Sequence, residues 1–159
     1  MQIVPVLNGA QLADVRALLT EYANELQHHI CFKSFEQERA GLPGAYAPPG
    51  GNLWLASVDG RAAGCVALRP LEGRPGVGEV KRLYVRPEFR GHRIGHTLME
   101  LLITEARRIG YTRLWLDTLR TMKPAHAIYT ASGFKRVPNS EKGFEEEIWC
   151  FELELLESR

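Results

Sequence analysis

The sequence lacks the features that mark several classes of protein. Its 159 residues include only three cysteines, Cys31, Cys65 and Cys150, which form no CxxC pair. No run of about 18 apolar residues is present that would span a membrane. Residues 1–5 also lack the basic segment and long apolar stretch of a secretory signal. We therefore expect free thiols in a reducing compartment and a soluble, cytoplasmic protein.

Net charge is also nearly absent. Twenty Lys and Arg residues against nineteen Asp and Glu residues leave +1, which predicts no nucleic-acid, membrane or other polyanionic partner. The charge is nevertheless uneven, because residues 81–123 carry a net +6 and residues 135–159 a net −3. Such an asymmetry reflects either solvated helix faces and loops or a basic site for a small anion.

What is present is the composition of one ordinary globular domain. Apolar residues make up 45% of the chain and charged residues 25%, both near the averages for such proteins. A chain of this length buries about 70% of its unfolded surface, which is enough for one core without disulfides. We assign residues 1–159 to a single domain.

Apolar periodicity and turn residues predict the order β-α-α-β-β-β-α-β-α-β-β. The Asp59-Gly60 pair predicts a hairpin, and three prolines and four glycines make residues 41–51 a loop. This order predicts a mixed α/β sandwich with a largely antiparallel central sheet. Strands are expected at about 2–7, 53–58, 62–68, 77–85, 113–117, 134–138 and 146–155, and helices at about 11–26, 28–40, 93–109 and 123–132.

Three glycine-containing patterns bear on phosphate binding. Gly76-Val77-Gly78 precedes a strand and lacks the third glycine of a dinucleotide fingerprint. The Gly91–Gly95 segment, taken as a Walker loop, is one residue short and has His96 in place of the lysine. The turn from Arg90 to Gly95 remains. It directs backbone N–H groups and the positive end of a helix dipole at one point, beside Arg90 and Arg93. It is either a pyrophosphate site or an ordinary arginine-rich turn.

Two segments resemble motifs of one enzyme family. Residues 81–99 look like the acetyl-CoA-binding motif of the GNAT superfamily of N-acetyltransferases, Gln/Arg-x-x-Gly-x-Gly/Ala after a strand ending in apolar-x-Val-x-Pro. Residues 125–134 are similar to its second motif, Ala-x-x-Leu-Tyr-x-x-x-Gly-Phe. The chain departs from the pattern at Arg93, where the first glycine is expected, and at Met122, where an Asn often opens the second motif.

The resemblance implies a GNAT fold with about seven strands and four helices, and acetyl-CoA as co-substrate. The end of the strand predicted at 77–85 would offer backbone groups to the pantetheine amides. The turn from Arg90 to Gly95 would hold the pyrophosphate. Homodimers are common in the family, so a homodimer is an expectation here. The residues implied in cofactor binding are Leu83, Tyr84, Val85, Arg90, Gly91, His92, Arg93, Ile94, Gly95 and His96.

The resemblance also implies two catalytic residues. Tyr129 aligns with the usual general acid, which would protonate the departing thiolate; the alternative is a tyrosine that only packs. Glu79 lies at the spacing where some members place the base that deprotonates the amine. Strand alternation would put Glu79 on one face with Lys81, Leu83 and Val85. The alternatives are a salt bridge from Glu79 to Lys81 or Arg82, or deprotonation through a water chain.

The implied reaction is transfer of the acetyl group of acetyl-CoA to a primary amine of a small molecule or peptide. The amine would attack the thioester directly in a ternary complex. Specificity is expected in residues 28–50, with Phe32, Phe35 and Tyr46, and in the acidic segment 141–147, whose glutamates favour a cationic acceptor. Alternatives are a non-catalytic acyl-CoA sensor and a transferase for another acyl-CoA.

Other reactive side chains carry weaker signals. His92 and His96 have the spacing of a zinc helix but lack the glutamate of HExxH and a third ligand, so no metal is expected. Cys65 and Cys150 fall in strands and are expected to be core residues. Asp117 could line the acceptor side, but we favour a role as the cap of the following helix.

Overall fold

A seven-stranded mixed sheet organises the protein. The computed structural model describes residues 1–6, 8–26, 35–139 and 146–155, and its element order confirms the predicted one. The strands are β1 (Gln2–Pro5), β2 (Asn52–Val58), β3 (Arg61–Pro70), β4 (Val77–Val85), β5 (Arg113–Leu119), β6 (Lys135–Val137) and β7 (Ile148–Glu154). The α-helices in these ranges are α1 (Gly9–Glu25), α2 (Phe35–Ala40), α3 (Ile94–Ile109) and α4 (Lys123–Ala131), with 3₁₀ turns at Gly44–Tyr46 and Pro87–Phe89.

Part of the predicted structure lies outside the described residues. This applies to 28–34 of the predicted second helix, with Cys31 and Phe32, and to 141–145 of the acidic segment. The predicted loop 41–51 contains the 3₁₀ turn Gly44–Tyr46, in which Tyr46 is buried. The Asp59-Gly60 hairpin between β2 and β3 is confirmed, and both residues have positive φ, as a type I′ turn requires.

The strand order across the sheet is β1-β2-β3-β4-β5-β7-β6, and only β4 and β5 run parallel. Their pairing is short, since Val77–Glu79 face Arg113–Trp115 and the register ends there. All the other neighbours pair antiparallel. Beyond Glu79, the β5 side of β4 therefore has no strand partner in the described chain.

Each face of the sheet carries its own apolar core. On one face, α3 packs through side chains such as Leu98 and Leu102 against Val80 and its neighbours. On the other, α1 packs through Leu18 and Leu19 against β2, β3 and β4. Across the described ranges, no helix combines the length and apolar character needed to cross a membrane.

A one-residue bulge interrupts β4. The register passes from Cys65 opposite Tyr84 to Ala67 opposite Lys81, so Val66 faces two residues, one of which, Arg82, has a φ of 60°. A bulge shifts all later side chains to the other face of the sheet.

The predicted face assignment is therefore wrong beyond Lys81. Leu83 and Val85 pack on the α3 face with Val80, while Tyr84 joins the α1 face. Strict alternation could not anticipate an inserted residue.

The junction between the 41–51 loop and β2 leaves no room for a side chain at Gly51. A Cβ there would overlap the carbonyl oxygen of Leu68 and lie 2.9 Å from that of Ala45. Because these are backbone atoms, the clash cannot be relieved by a rotamer change. We expect Gly51→Ala to lower the free energy of unfolding by about 1–3 kcal/mol in denaturant titrations. The matched control is Gly9→Ala, whose Cβ meets no described atom within 4 Å; it should change stability by less than about 0.5 kcal/mol. Equal effects of the two variants would contradict the argument.

Candidate functional site

A cleft of about 520 Å³ opens where the end of β4, the start of α3, the last turns of α1 and the start of α4 meet. Its size is that of a small-molecule site. Nine of the ten residues predicted to bind the cofactor line it, and His92, which is exposed, is the exception. Sequence analysis missed the walls from α1 and α4, because their proximity depends on tertiary structure. Those walls are Tyr22, Glu25, Leu26, Thr121, Met122, Pro124, Ala125 and Ile128.

The N-terminus of α3 forms one end of this cleft. Its N-cap, Arg93, is in the left-handed region (φ 61°, ψ 20°), and no described side chain caps the helix. The first N–H groups of a helix have no partner within it, so those of Ile94, Gly95 and His96 are available to an anion. Gly95 also allows α4 to approach closely, since a Cβ there would lie 2.7 Å from Ile128 Cδ1.

The two arginines beside this helix end differ in their pairing. Arg90 donates from Nη2 to Glu25 at 2.9 and 3.1 Å and from Nε to the carbonyl of Val85 at 2.9 Å. Its charge is therefore already balanced by α1, which the sequence pattern did not reveal. The Arg93 side chain makes no hydrogen bond or ion pair with the described residues and is the uncompensated cation of the cleft.

The free edge of β4 forms the other end of the cleft. Because pairing with β5 ends at Glu79, the backbone of residues 80–85 faces the gap between the two strands. An extended chain that carries amides can add to such an edge as another strand would. The predicted role of Leu83, Tyr84 and Val85 is compatible with this geometry.

The cleft adjoins a small cavity between β4 and β5. The cavity measures about 30 Å³ and shares Tyr22, Leu26, Leu83 and Met122 with the cleft. Tyr129 lines it and is 6% exposed. Burial raises the pKa of Tyr129 well above its usual value, and the Asp117 charge adds to this while Thr118 opposes it. The hydroxyl is therefore protonated at neutral pH and can donate a proton or a hydrogen bond.

Glu79 is buried and ion-paired. Its Oε1 accepts a hydrogen bond of 2.8 Å from Arg69 Nε, and its Oε2 lies 3.9 Å from Lys81 Nζ. A salt bridge of Glu79 is thus present, with Arg69 as the close partner. Arg82 instead forms a bidentate pair with Glu38 at 2.7 and 2.8 Å. Glu38 could not be found from the sequence because α2 is distant in the chain, and Arg69 because its pairing with Glu79 depends on the register of β3 and β4.

A second pocket, of about 470 Å³, lies on the α1 face beside α2, and we call it the α2 pocket. It shares Lys81 and Arg82 with the small cavity, so the two spaces meet at the bulge of β4. Tyr46 lines it, while Phe35 is buried with its ring 5.5 Å from the Arg82 guanidinium. The full lining is Gln37, Glu38, Gly41, Pro43, Gly44, Ala45, Tyr46, Arg69, Lys81 and Arg82.

The structure also places three residues with weaker sequence signals, Asp117, Cys65 and Cys150. Asp117 does not cap α4; it lies in β5 and lines the small cavity, and the N-cap is Met122. Cys65 and Cys150 are buried in the core, and burial raises the pKa of Cys65 to about 12, so that thiol is protonated and a poor nucleophile. In the part of the chain described, no three His, Cys, Asp or Glu side chains come together as a metal site would need.

Comparisons with known proteins find the same segments in one family. The model of the acetyltransferase (GNAT) family matches residues 12–134. An uncharacterized N-acetyltransferase of Schizosaccharomyces pombe is 41% identical over 78% of this chain and 76% of its own length. One from Dictyostelium discoideum is 27% identical over 83% of this chain and 89% of its own length. An acetyltransferase structure from Streptococcus agalactiae superposes with a TM-score of 0.79 at 21% identity, over 96% of this chain and 97% of that one.

The family match includes α3 with its free N-terminus, the free edge of β4 and Tyr129. The likeness to the solved structure extends the shared fold over nearly the whole chain, including the mixed sheet. The chain belongs to the GNAT family of acetyltransferases and is an acyltransferase.

Proposed function

We propose that the protein transfers the acetyl group of acetyl-CoA to a primary amine of a small molecule or peptide, by direct attack in a ternary complex. The observation that carries this proposal is that three spaces adjoin one another and share lining residues. The cleft runs from the N-terminus of α3 to the edge of β4, the small cavity with Tyr129 follows, and the α2 pocket lies beyond it.

The residues of the cleft fit the chemistry of acetyl-CoA. The N–H groups of Ile94, Gly95 and His96, with the Arg93 side chain, would hold the diphosphate. The free backbone edge of residues 80–85 would bind the two amides of the pantetheine arm. When bound this way, the co-substrate supplies an activated acetyl thioester at the small cavity.

Tyr129 would act at the sulfur. The amine nitrogen forms a bond to the acetyl carbon, the carbon–sulfur bond breaks, and the thiolate leaves with a proton from the Tyr129 hydroxyl. The nitrogen then gives up its second proton, which restores the Tyr129 hydroxyl. Asp117 and Thr118 both influence that hydroxyl and line the same cavity.

Glu79 would accept the proton of the attacking ammonium. Glu79 is the one carboxylate of β4, and it lies at the position where β4 stops pairing with β5. Because it lies outside the lining of the cavity and the α2 pocket, the proton would reach it through a polar relay. Its hydrogen bond with Arg69 holds the carboxylate in place.

Two further proposals concern the setting of the enzyme. The buried thiol of Cys65, which forms no disulfide, supports a cytoplasmic, reducing environment. A homodimer stays a prediction by analogy with the family, which light scattering of the purified protein would check.

The transfer itself is tested by release of CoA thiol. Purified protein is incubated with acetyl-CoA and a panel of amino acids, polyamines, amino sugars and peptides. We expect turnover with at least one class and an N-acetylated product of matching mass. Tight binding of CoA without turnover of any amine would instead favour a sensor.

Arg93→Gly separates diphosphate binding from stability. A non-glycine residue in the left-handed region carries a conformational cost of about 1 kcal/mol, so the variant should be at least as stable as the wild type. It loses the uncompensated cation of the cleft, so we expect its CoA affinity to fall about tenfold or more in calorimetric titrations. Affinity for pantetheine, which lacks the diphosphate, serves as the matched control and should not change. Unaltered CoA affinity would contradict the assigned phosphate site.

A further inference from the structure

The α2 pocket holds more positive than negative charge. Arg69, Lys81 and Arg82 line it, while the carboxylates beside them are Glu38 and Glu79. This imbalance of one positive charge is enclosed, because the side chains of Lys81 and Arg82 are only 13% and 5% exposed. Burying a charge without a partner is unfavourable, so an anion from outside would complete the pocket.

Lys81 is the cation that the protein leaves incompletely paired. Arg82 makes two hydrogen bonds to Glu38, and Arg69 makes one to Glu79. The Lys81 ammonium, in contrast, is 3.9 Å from Glu79 Oε2 and makes no hydrogen bond to any described residue. An ammonium has three N–H donors to satisfy.

Tyr46 provides a second, independent sign of an absent ligand. The residue is 2% exposed, and its buried hydroxyl makes no hydrogen bond of normal geometry to the described residues, although the Glu38 carboxylate lies beside it. Burial, followed by the nearby charge of Glu38, raises the pKa of Tyr46, so the hydroxyl remains a donor. Its ring lies 5.7 Å from the Arg69 guanidinium in the same pocket.

We propose that the α2 pocket binds a carboxylate of the acetyl acceptor, which makes the acceptor an amino acid or a similar amino-carboxylic acid. The Lys81 ammonium and the Tyr46 hydroxyl donate to this carboxylate. The proposal rests on the proposed transfer function, and it specifies its substrate class.

The position of Lys81 explains how the acceptor would be oriented. Lys81 borders both the α2 pocket and the small cavity that contains Tyr129. A carboxylate anchored there leaves the amine of the same molecule beside the cavity. Glu38, which lines the pocket and is kept ionised by Arg82, can accept a hydrogen bond from the ammonium before transfer.

This substrate class differs from the cationic acceptor favoured by the acidic segment 141–147. Of that segment the described residues include only Glu146 and Glu147, and neither lines the cleft, the cavity or the α2 pocket. A polyamine or amino sugar would add positive charge next to three cations.

The test compares acceptors that differ only in the carboxylate. CoA release is measured with the twenty common L-amino acids, with their α-amides, and with spermidine and glucosamine. We expect amino acids to be preferred over their amides by at least tenfold in kcat/KM.

Lys81→Met and Tyr46→Phe should each raise KM for the amino acid about tenfold or more and leave KM for acetyl-CoA unchanged. The exposed Lys135→Met is the control and should match the wild type.

A loss of the amino-acid preference in Lys81→Met, with amide turnover retained, is the result that a merely structural lysine would not give. The proposal is overturned if amides, spermidine or glucosamine react as well as the amino acids. It is also overturned if Lys81→Met and Tyr46→Phe slow every acceptor equally.

Calorimetry separates failure of this proposal from failure of the transfer function. The protein saturated with CoA is titrated with L-aspartate, L-methionine and L-lysine and with their α-amides. Binding of amino acids to the wild type but not to Lys81→Met, without turnover, would support the carboxylate site and remove the transfer function. No binding of any of the three, or equal binding of the amides, would remove the carboxylate site.

Discussion

Tyr129→Phe is expected to lower kcat by about 10²- to 10⁴-fold, the range that positioned acid catalysis contributes. The substitution removes only the hydroxyl. The ring contacts with Phe134 and Phe151, at centroid distances of 6.0 and 5.7 Å, are kept. Stability should therefore change little, and the loss should fall on the departure of the thiolate. Stopped assays of thiol release at saturating substrates measure it.

The control for Tyr129→Phe is Tyr111→Phe. Tyr111→Phe removes a part-buried tyrosine hydroxyl that donates to the Gly50 carbonyl, and Tyr111 lies outside the cleft, the cavity and the α2 pocket. Its kcat should stay near that of the wild type. An acetyl thioester of a more acidic thiol should also lose less activity in Tyr129→Phe, because its thiolate needs less protonation. Full activity of Tyr129→Phe with acetyl-CoA would remove the general acid.

Glu79→Gln is expected to have an effect of similar size, about 10²-fold or more in kcat/KM at neutral pH. Without the carboxylate, the reaction depends on amine that is already deprotonated in solution. Activity of the variant should therefore climb with pH toward the pKa of the acceptor amine. The pH profile of kcat/KM, recorded for variant and wild type, is the measurement.

Because Glu79 is ion-paired, the alternative that it has only a positioning role predicts a different result for Glu79→Gln. If Glu79 only holds Arg69 and Lys81 in place, Glu79→Gln will raise KM for the acceptor and leave kcat and its pH profile unchanged. Glu100→Gln, on the exposed side of α3, is the control for loss of one carboxylate and should match the wild type.

The sequence was most informative where the site is local. The turn from Arg90 to Gly95 and the helix after it are adjacent in the chain, so spacing alone predicted a helix N-terminus beside basic side chains. Tyr129 was found in the same way, through a motif contained within ten residues.

Features that need two distant segments could not be predicted. Arg90 is paired with Glu25, which lies 65 positions away, and Arg82 is paired with Glu38, which lies 44 positions away. The bulge at Arg82 follows from how β3 and β4 align, not from the composition of either strand. The α2 pocket depends on the Arg82–Glu38 pair and on the bulge, so sequence analysis located its loop but not its charge.

The early separation of β4 from β5 has a consequence for the size of the transferred group. A continuous β-sheet separates the space on one face from the space on the other, because its strands are hydrogen-bonded side by side. Here a cavity of about 30 Å³ lies between the two strands. Under the proposed function the acetyl group would sit at this cavity, so we expect acetyl-CoA to be used in preference to longer acyl-CoAs.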